Sequence, residues 1–335
     1  MKRSIEEMTA GAVYFTNELA CVSASGQSDT VEATVTVDGT EILKQEFGCA
    51  DSGEVIVTSI GSMIRDHLRK VDKSVADASI KIGSASISFK ALRCDRPYFE
   101  DAATFCKNNF LSDVGVMTTF HQSIGSRGVS QFAFKITSYD PATTPATAKV
   151  YREARGVQDY ESIQVSSDNG LCTYTPTITA WMIQNTGTPI VYGNFSAVLT
   201  AGSRQMPIES RTVYGGATFV FENSFGIPEV IYIPGIVSQA PEMNYTEVMV
   251  NRRLQSVDRS ISTVYTVTAE NAPLWLFEAA KLLTLSENVE IADTPYNPQI
   301  LGTGRKVIIT GVSGTGHDAN NSLCNIKLTF KYAET

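Results

Sequence analysis

The stretch ATFVFENSFGIPEVIYIPG, from Ala217 to Gly235, admits few folds. Its two apolar runs are rich in β-branched and aromatic residues and are each too short for a stable helix, while Gly226 and Pro228 break the chain between them. Two strands meeting at a sharp corner over Asn223-Ser224-Phe225-Gly226-Ile227-Pro228 are therefore expected. The chain beyond the corner reads as more of the same sheet.

The same reading extends in both directions. Val31, Ala33, Val35 and Val37 alternate with polar residues, and Asp38-Gly39 follows at once, the dipeptide that suits a tight hairpin. TEILKQEF (40–47) is the expected return strand, and Asp51-Ser52-Gly53 turns the chain into 54–60, so three consecutive strands predict an antiparallel meander. A first strand is expected within 13–22. Ile60, Met63, Ile64, His67, Leu68 and Val71 recur at spacings of three and four, the pattern of one amphipathic helix lying on a sheet face. Alternation resumes at 78–83 and 85–92. Residues 96–115 read as a short helix or an ordered connection, and the Pro- and Thr-rich 140–147 as a surface loop or boundary.

From 148 to 220, turn residues at Asp168-Asn169-Gly170, 185–189 and Ala201-Gly202-Ser203 punctuate short strands, as in an all-β sandwich or barrel. Beyond the corner, 245–257 and 261–268 are expected to pair around Asp258-Arg259-Ser260. An apolar buried helix follows over about 273–286, with Pro273 near its start. Strands at 289–291, 305–310 and 323–332 close the chain. The expected fold is thus mainly β, with two or more antiparallel β-sandwich-like domains, each carrying one or two covering helices. Three segments follow: a meander/sandwich domain with one helix (1–95), a connecting segment (96–147) and a C-terminal β-rich domain (148–335).

Composition narrows the function. With a net charge of −8 and no dense cluster of Lys and Arg, the chain lacks the electrostatic footprint of a nucleic-acid-binding protein. No run approaches the roughly 18 apolar residues of a membrane span, and Glu6, Glu7 and Glu18 interrupt any signal-like apolar core, so neither membrane insertion nor signal-directed export is expected. The six cysteines, at 21, 49, 94, 106, 172 and 324, show no CxxC spacing and read as buried reduced thiols.

Catalytic constellations fare no better. His67, His121 and His317 are far apart in sequence, and no metal or cofactor motif accompanies them. The glycine-rich loop 311–316, followed by His317-Asp318, invites comparison with a phosphate cradle, but no Lys-Ser or Lys-Thr pair follows it. Asp38, Asp51 and Asp168 read as turn formers. The acid pairs Glu6-Glu7 and Glu100-Asp101 would serve a glycosidase only if two carboxylates faced each other across a cleft. Tyr160, Tyr174, Trp181 and Tyr192 are available to a sugar-binding surface. No catalytic, cofactor-binding or metal-binding residue is expected.

The order of a DG hairpin and helix, a Ser/Thr-rich β region, FENSFGIPE, LWLFEAAKLLTLSENVEI and a closing NIKLTFKYA resembles structural proteins of phages and prophages of Bacteroides-type gut bacteria, particularly tail or baseplate components. The resemblance implies a virion protein, made in the host cytoplasm, that assembles as a ring or tube with copies of itself and with other virion proteins. A surface carbohydrate-binding or adhesion module is the alternative, and a glycan-degrading enzyme a third.

Overall fold

The computed structural model describes residues 2–27, 29–98, 100–121, 132–133, 136–141, 148–154, 157–163, 165–174, 177–178, 196–212, 215–250, 253–292, 301–302, 304–315 and 323–333. The protein is mainly β. Strands form several sheets, antiparallel but for three parallel pairings, and the described α-helices are α1 (Ile60–Lys70), α2 (Ala102–Asn108) and α3 (Leu274–Leu282).

The N-terminal core is built as its alternation demands. Thr30–Val37 buries Ala33, Val35 and Val37, pairs with Thr40–Gly48 through a turn in which Asp38 and Gly39 both have positive φ, and pairs on its other side with Val75–Ile82. Ala85–Leu92 and Val13–Phe15 complete this five-stranded sheet. Ile60, Ile64 and Leu68 of α1 are fully buried in the same core, and each contributes roughly 1.5–3 kcal/mol by leaving water.

One expectation fails in this region. The meander stops after two strands: Val55–Thr58 leaves its neighbour and pairs with Cys21–Ala24, which in turn runs parallel to Lys2–Ser4. That second sheet brings Val22, Val55 and Val57 against the first, so one core is shared between two sheets. Burial on the opposite layer outweighs pairing with the nearest strand in sequence. The strand expected within 13–22 is Val13–Phe15, and the 3-10 turn Thr16–Leu19, where Glu18 accepts the Phe15 amide at 3.1 Å, separates it from Cys21–Ala24.

In the middle of the chain, Ala148–Ala154 lies between Val157–Ile163 and Ser196–Ala201. The latter turns at Gly202-Ser203 into Arg204–Thr212, which carries Met117–His121 in parallel along its outer side. Val165–Asp168 turns at Asn169-Gly170 into Leu171–Tyr174, which pairs with Ile136–Tyr139. The expected turn at 185–189 and most of the loop 140–147 lie outside the described residues.

The C-terminal sheet has seven antiparallel strands in the order Pro228–Ile233, Ala217–Glu222, Val289–Ile291, Arg305–Thr315, Leu323–Tyr332, Arg253–Pro273 and Ile236–Val250. Helix α3 covers one face, burying Leu276, Ala279 and Ala280, with Leu283 buried just after its end. The expected glycine-rich loop is mostly strand: Arg305–Thr315 runs through Gly311 and Gly314, and the Phe277 ring of α3 packs directly over Gly314. The expected turn at Asp258-Arg259-Ser260 is a bulge instead. Asn244 pairs with Ser260 and Thr246 with Val257, so Asp258 and Arg259 together face Tyr245 inside one long strand.

Candidate functional site

Three features stand out: the corner hairpin, an arginine-lined cleft beside it, and a projecting two-stranded arm.

The corner is where the parts of the chain meet. Ala217–Glu222 and Pro228–Ile233 pair antiparallel, and Gly226, at φ +76°, makes the reversal that a side chain would strain. Asn223 organises the turn. Its side-chain oxygen accepts the amides of Phe225 and Ile227, both at 3.0 Å, and its amide nitrogen donates to Leu111 O at 3.0 Å and to Glu229 Oε2 at 3.2 Å. The turn projects Phe225, fully buried, into a cluster with Phe15, Tyr98 and Phe105. All six ring pairs in that cluster have centroids 4.7–5.9 Å apart. Rings from the N-terminal core, the connecting segment and the C-terminal sheet therefore share one aromatic core.

A half-buried carboxylate supports the corner. Glu229 accepts the Ser112 hydroxyl, the Asp113 amide at 2.9 Å and the Val114 amide at 3.1 Å. Burial pushes its carboxyl above the ordinary value, opposed by the Ser112 and backbone hydrogen bonds. Asp113 in turn accepts the Ser224 amide and hydroxyl and the Tyr98 hydroxyl. Each of these groups has partners that account for it structurally.

The cleft lies between α1, the segment after Ala85–Leu92 and the corner. Asp95 is its hub: Arg69 donates to its Oδ2 at 2.9 Å and Arg93 at 3.2 Å, and Arg65 lies 3.6 Å from Oδ1. Arg93, buried, also pairs with Glu222, and Arg69 reaches Glu287 at 3.1 Å. Nothing in the local sequence marks this site, because Arg65 and Arg69 read as the polar face of an amphipathic helix and the rest arrive from distant segments.

The arm is the outer part of the hairpin formed by Ile236–Val250 and Arg253–Pro273. Among the described residues, from the Ala240–Val264 pair outward its strands share backbone ladders only with each other, since Leu323–Tyr332 pairs no further out than Tyr265, while the Lys331 side chain reaches Glu242 from that strand. Eleven residues of strand, Ala240–Val250, reach about 35 Å. Apolar residues line it in the open: Met243 is 67% exposed, Met249 65%, Leu254 60% and Ile261 70%. Met243 stands opposite Ile261 and Met249 opposite Leu254, and Tyr245 falls on the same face by its spacing. Pro241 is tolerated because this strand is the edge of the sheet.

The residues weighed for chemistry take up separate posts. Asp101 caps α2, accepting the Thr104 amide at 2.9 Å, while Glu6 accepts the Ser25 amide at 2.8 Å. Asp38 binds Lys73 and the Asp77 amide, and Asp51 and Asp168 sit at turns. His67 is on α1, His121 ends a strand, and His317 and Asp318 lie outside the described residues. Tyr174 is fully buried under Ser138, Tyr160 pairs with Tyr151 in its strand, and Trp181 and Tyr192 are outside the described residues. All six cysteines are free thiols. Among the described residues no group of His, Cys, Asp or Glu is arranged to hold a metal, and no helix is long and apolar enough to cross a membrane.

No protein-family model matches the chain, and no curated protein matches it in sequence. Among solved structures it overlaps a tandem of titin Ig domains at 8% identity, over 63% of this chain and 94% of that one, with a TM-score of 0.23. A three-Ig fragment of titin overlaps at 9% identity, over 98% and 88%, with a TM-score of 0.19. A chicken TCR does so at 9%, over 65% and 87%, with a TM-score of 0.15. TM-scores this low establish no shared topology, and the fold rests on the sheets described above.

Proposed function

We propose that the chain is a structural subunit of a phage or prophage particle, a tail, baseplate or neck component that works by assembling with copies of itself and with other virion proteins. The observation that carries this reading is the arm. A two-stranded hairpin is marginal in water by itself, and a stripe of Met243, Tyr245, Met249, Leu254 and Ile261 left in solvent marks a surface that a partner covers. Among the described residues, no strand pairs with the outer edges of the arm strands over Ala240–Val250 and Arg253–Val264. An isologous pair joined through one edge leaves the other unpaired, whereas head-to-tail addition uses both, giving a ring where the rotation between subunits closes and a tube-like filament where it does not. The resemblance of FENSFGIPE and its neighbours to tail and baseplate proteins supplies the setting.

Size-exclusion chromatography with light scattering tests it. The full chain is expected to grow from monomer to assembly with concentration, or on adding the products of neighbouring genes. Met249→Thr combined with Leu254→Thr keeps β propensity but removes apolar area, and is expected to abolish assembly while leaving the unfolding transition in place. A monomer under every condition, or a double variant that assembles like the parent, refutes the reading.

A further inference from the structure

The arginine cleft has a volume of about 300 Å³ and sits where α1 meets the corner hairpin and the segment after α3. Four arginines and four carboxylates line it, and the groups left without hydrogen bonds are mostly donors. The Nε atoms of Arg65, Arg69 and Arg93 are buried without a hydrogen-bond partner, and the Arg93 side chain is only 6% exposed. The guanidinium of Arg96, which also lines the cleft, makes no ion pair or hydrogen bond among the described residues. The nearby acids are largely committed: Asp95 Oδ2 to two arginines, Glu222 to Arg93, and Asp113 to Ser224 and Tyr98. Glu287 stands on the exposed rim. One acceptor, Asp95 Oδ1, is also without a hydrogen bond, and it faces Arg65 at 3.6 Å.

Buried donors left without partners are destabilising, and such groups in a native fold call for water or an ion. Charge-assisted bonds from guanidinium to an oxyanion are the stronger way to satisfy them, because one tetrahedral anion accepts from several planar forks at once. We propose that this cleft binds a compact oxyanion of the phosphate type, bridging Arg65 and Arg69 of α1 to Arg93 and Arg96 on the segment after Ala85–Leu92. The site is independent of the assembly reading and of the arm.

Isothermal titration of inorganic phosphate into the full chain, at fixed ionic strength with chloride as the control, tests it. One saturable site per chain is expected. Arg96→Ala weakens it at least about tenfold, the scale of one lost charge-assisted bond. Asp95→Asn tightens it, because the carboxylate that competes with the anion is gone, a gain that a purely structural role for Asp95 does not produce. Where Asp95→Asn fails to fold, Arg65→Ala, at a partly exposed position, replaces it as the second variant and is expected to weaken binding. Phosphate heats no larger than those of chloride, or binding unchanged in Arg96→Ala, overturn the proposal.

Discussion

Replacing Asn223 by Ala removes all four hydrogen bonds that its side chain makes at the corner. Two of the groups left behind, the Phe225 and Ile227 amides, are backbone donors inside a closed turn, and Leu111 O loses a donor as well. At about 1 kcal/mol net per bond, with more for each group that water cannot reach, the expected loss is about 4 kcal/mol. That is a large share of the roughly 5–15 kcal/mol by which a domain is stable. Urea unfolding followed by tryptophan and tyrosine fluorescence measures it as a fall in midpoint at constant m-value. Asn223→Asp separates hydrogen bonding from simple loss of volume. The substitution keeps the acceptor for the two amides but turns a carboxylate oxygen toward Leu111 O and Glu229, where the amide nitrogen had donated. Like charge and burial then raise the folded pKa of the new carboxyl, so its contribution to stability is present below the unfolded value and lost as pH rises through the folded one. Asn223→Asp is therefore expected to recover stability on acidification to about pH 4 relative to Asn223→Ala. A loss below about 1 kcal/mol for Asn223→Ala, or a pH-independent gap between the two variants, refutes the reasoning.

Gly235, at the base of the arm, has φ +132°, and a Cβ there would sit 1.9 Å from Thr268 O, whereas Gly11, at φ +75°, has open space around it. Gly235→Ala is expected to cost about 3 kcal/mol or more and Gly11→Ala about 1 kcal/mol by urea unfolding, and equal losses contradict the packing argument. Burial pushes the Cys94 and Cys106 thiols up to about 12, so a thiol reagent at pH 8 should titrate the half-buried Cys21 and Cys49 first and reach Cys94 and Cys106 only on unfolding; uniform native reactivity of all six speaks against this. Glu229 has a raised folded pKa, so its contribution is full below the unfolded value of about 4.3 and declines as pH rises through the folded value. The stability gap between the parent and Glu229→Gln should narrow as pH rises from about 4 to 7, and a widening gap reverses the assignment.

Much of the local structure was legible in the residues. Alternation at Val31–Val37, the Asp38-Gly39 turn, the spacing of Ile60, Ile64 and Leu68, and the apolar run of α3 each lead to the element observed, because each depends on near neighbours. The misreadings arose where a local signal has two physical outcomes. Asp258-Arg259-Ser260 has turn composition, yet a bulge also accommodates polar residues that interrupt a ladder, and the long register between Ile236–Val250 and Arg253–Pro273 selects the bulge. Gly311 and Gly314 look like loop glycines, yet they lie in a strand, with Phe277 over Gly314.

By itself the chain determined its own alphabet of short strands, two covering helices and a corner at FENSFGIPE, since periodicity and turn chemistry act over a few residues. Tertiary structure alone decided that Val55–Thr58 crosses to a second sheet, that Phe225 is the plug of a core drawn from three segments, and that two arginines of α1 and two of the segment after Ala85–Leu92 face one cleft. It also decided that one hairpin outruns its sheet and leaves Met243, Met249 and Leu254 in solvent. Burial and charge pairing between residues a hundred positions apart depend on where the backbone returns, and sequence spacing carries no record of that.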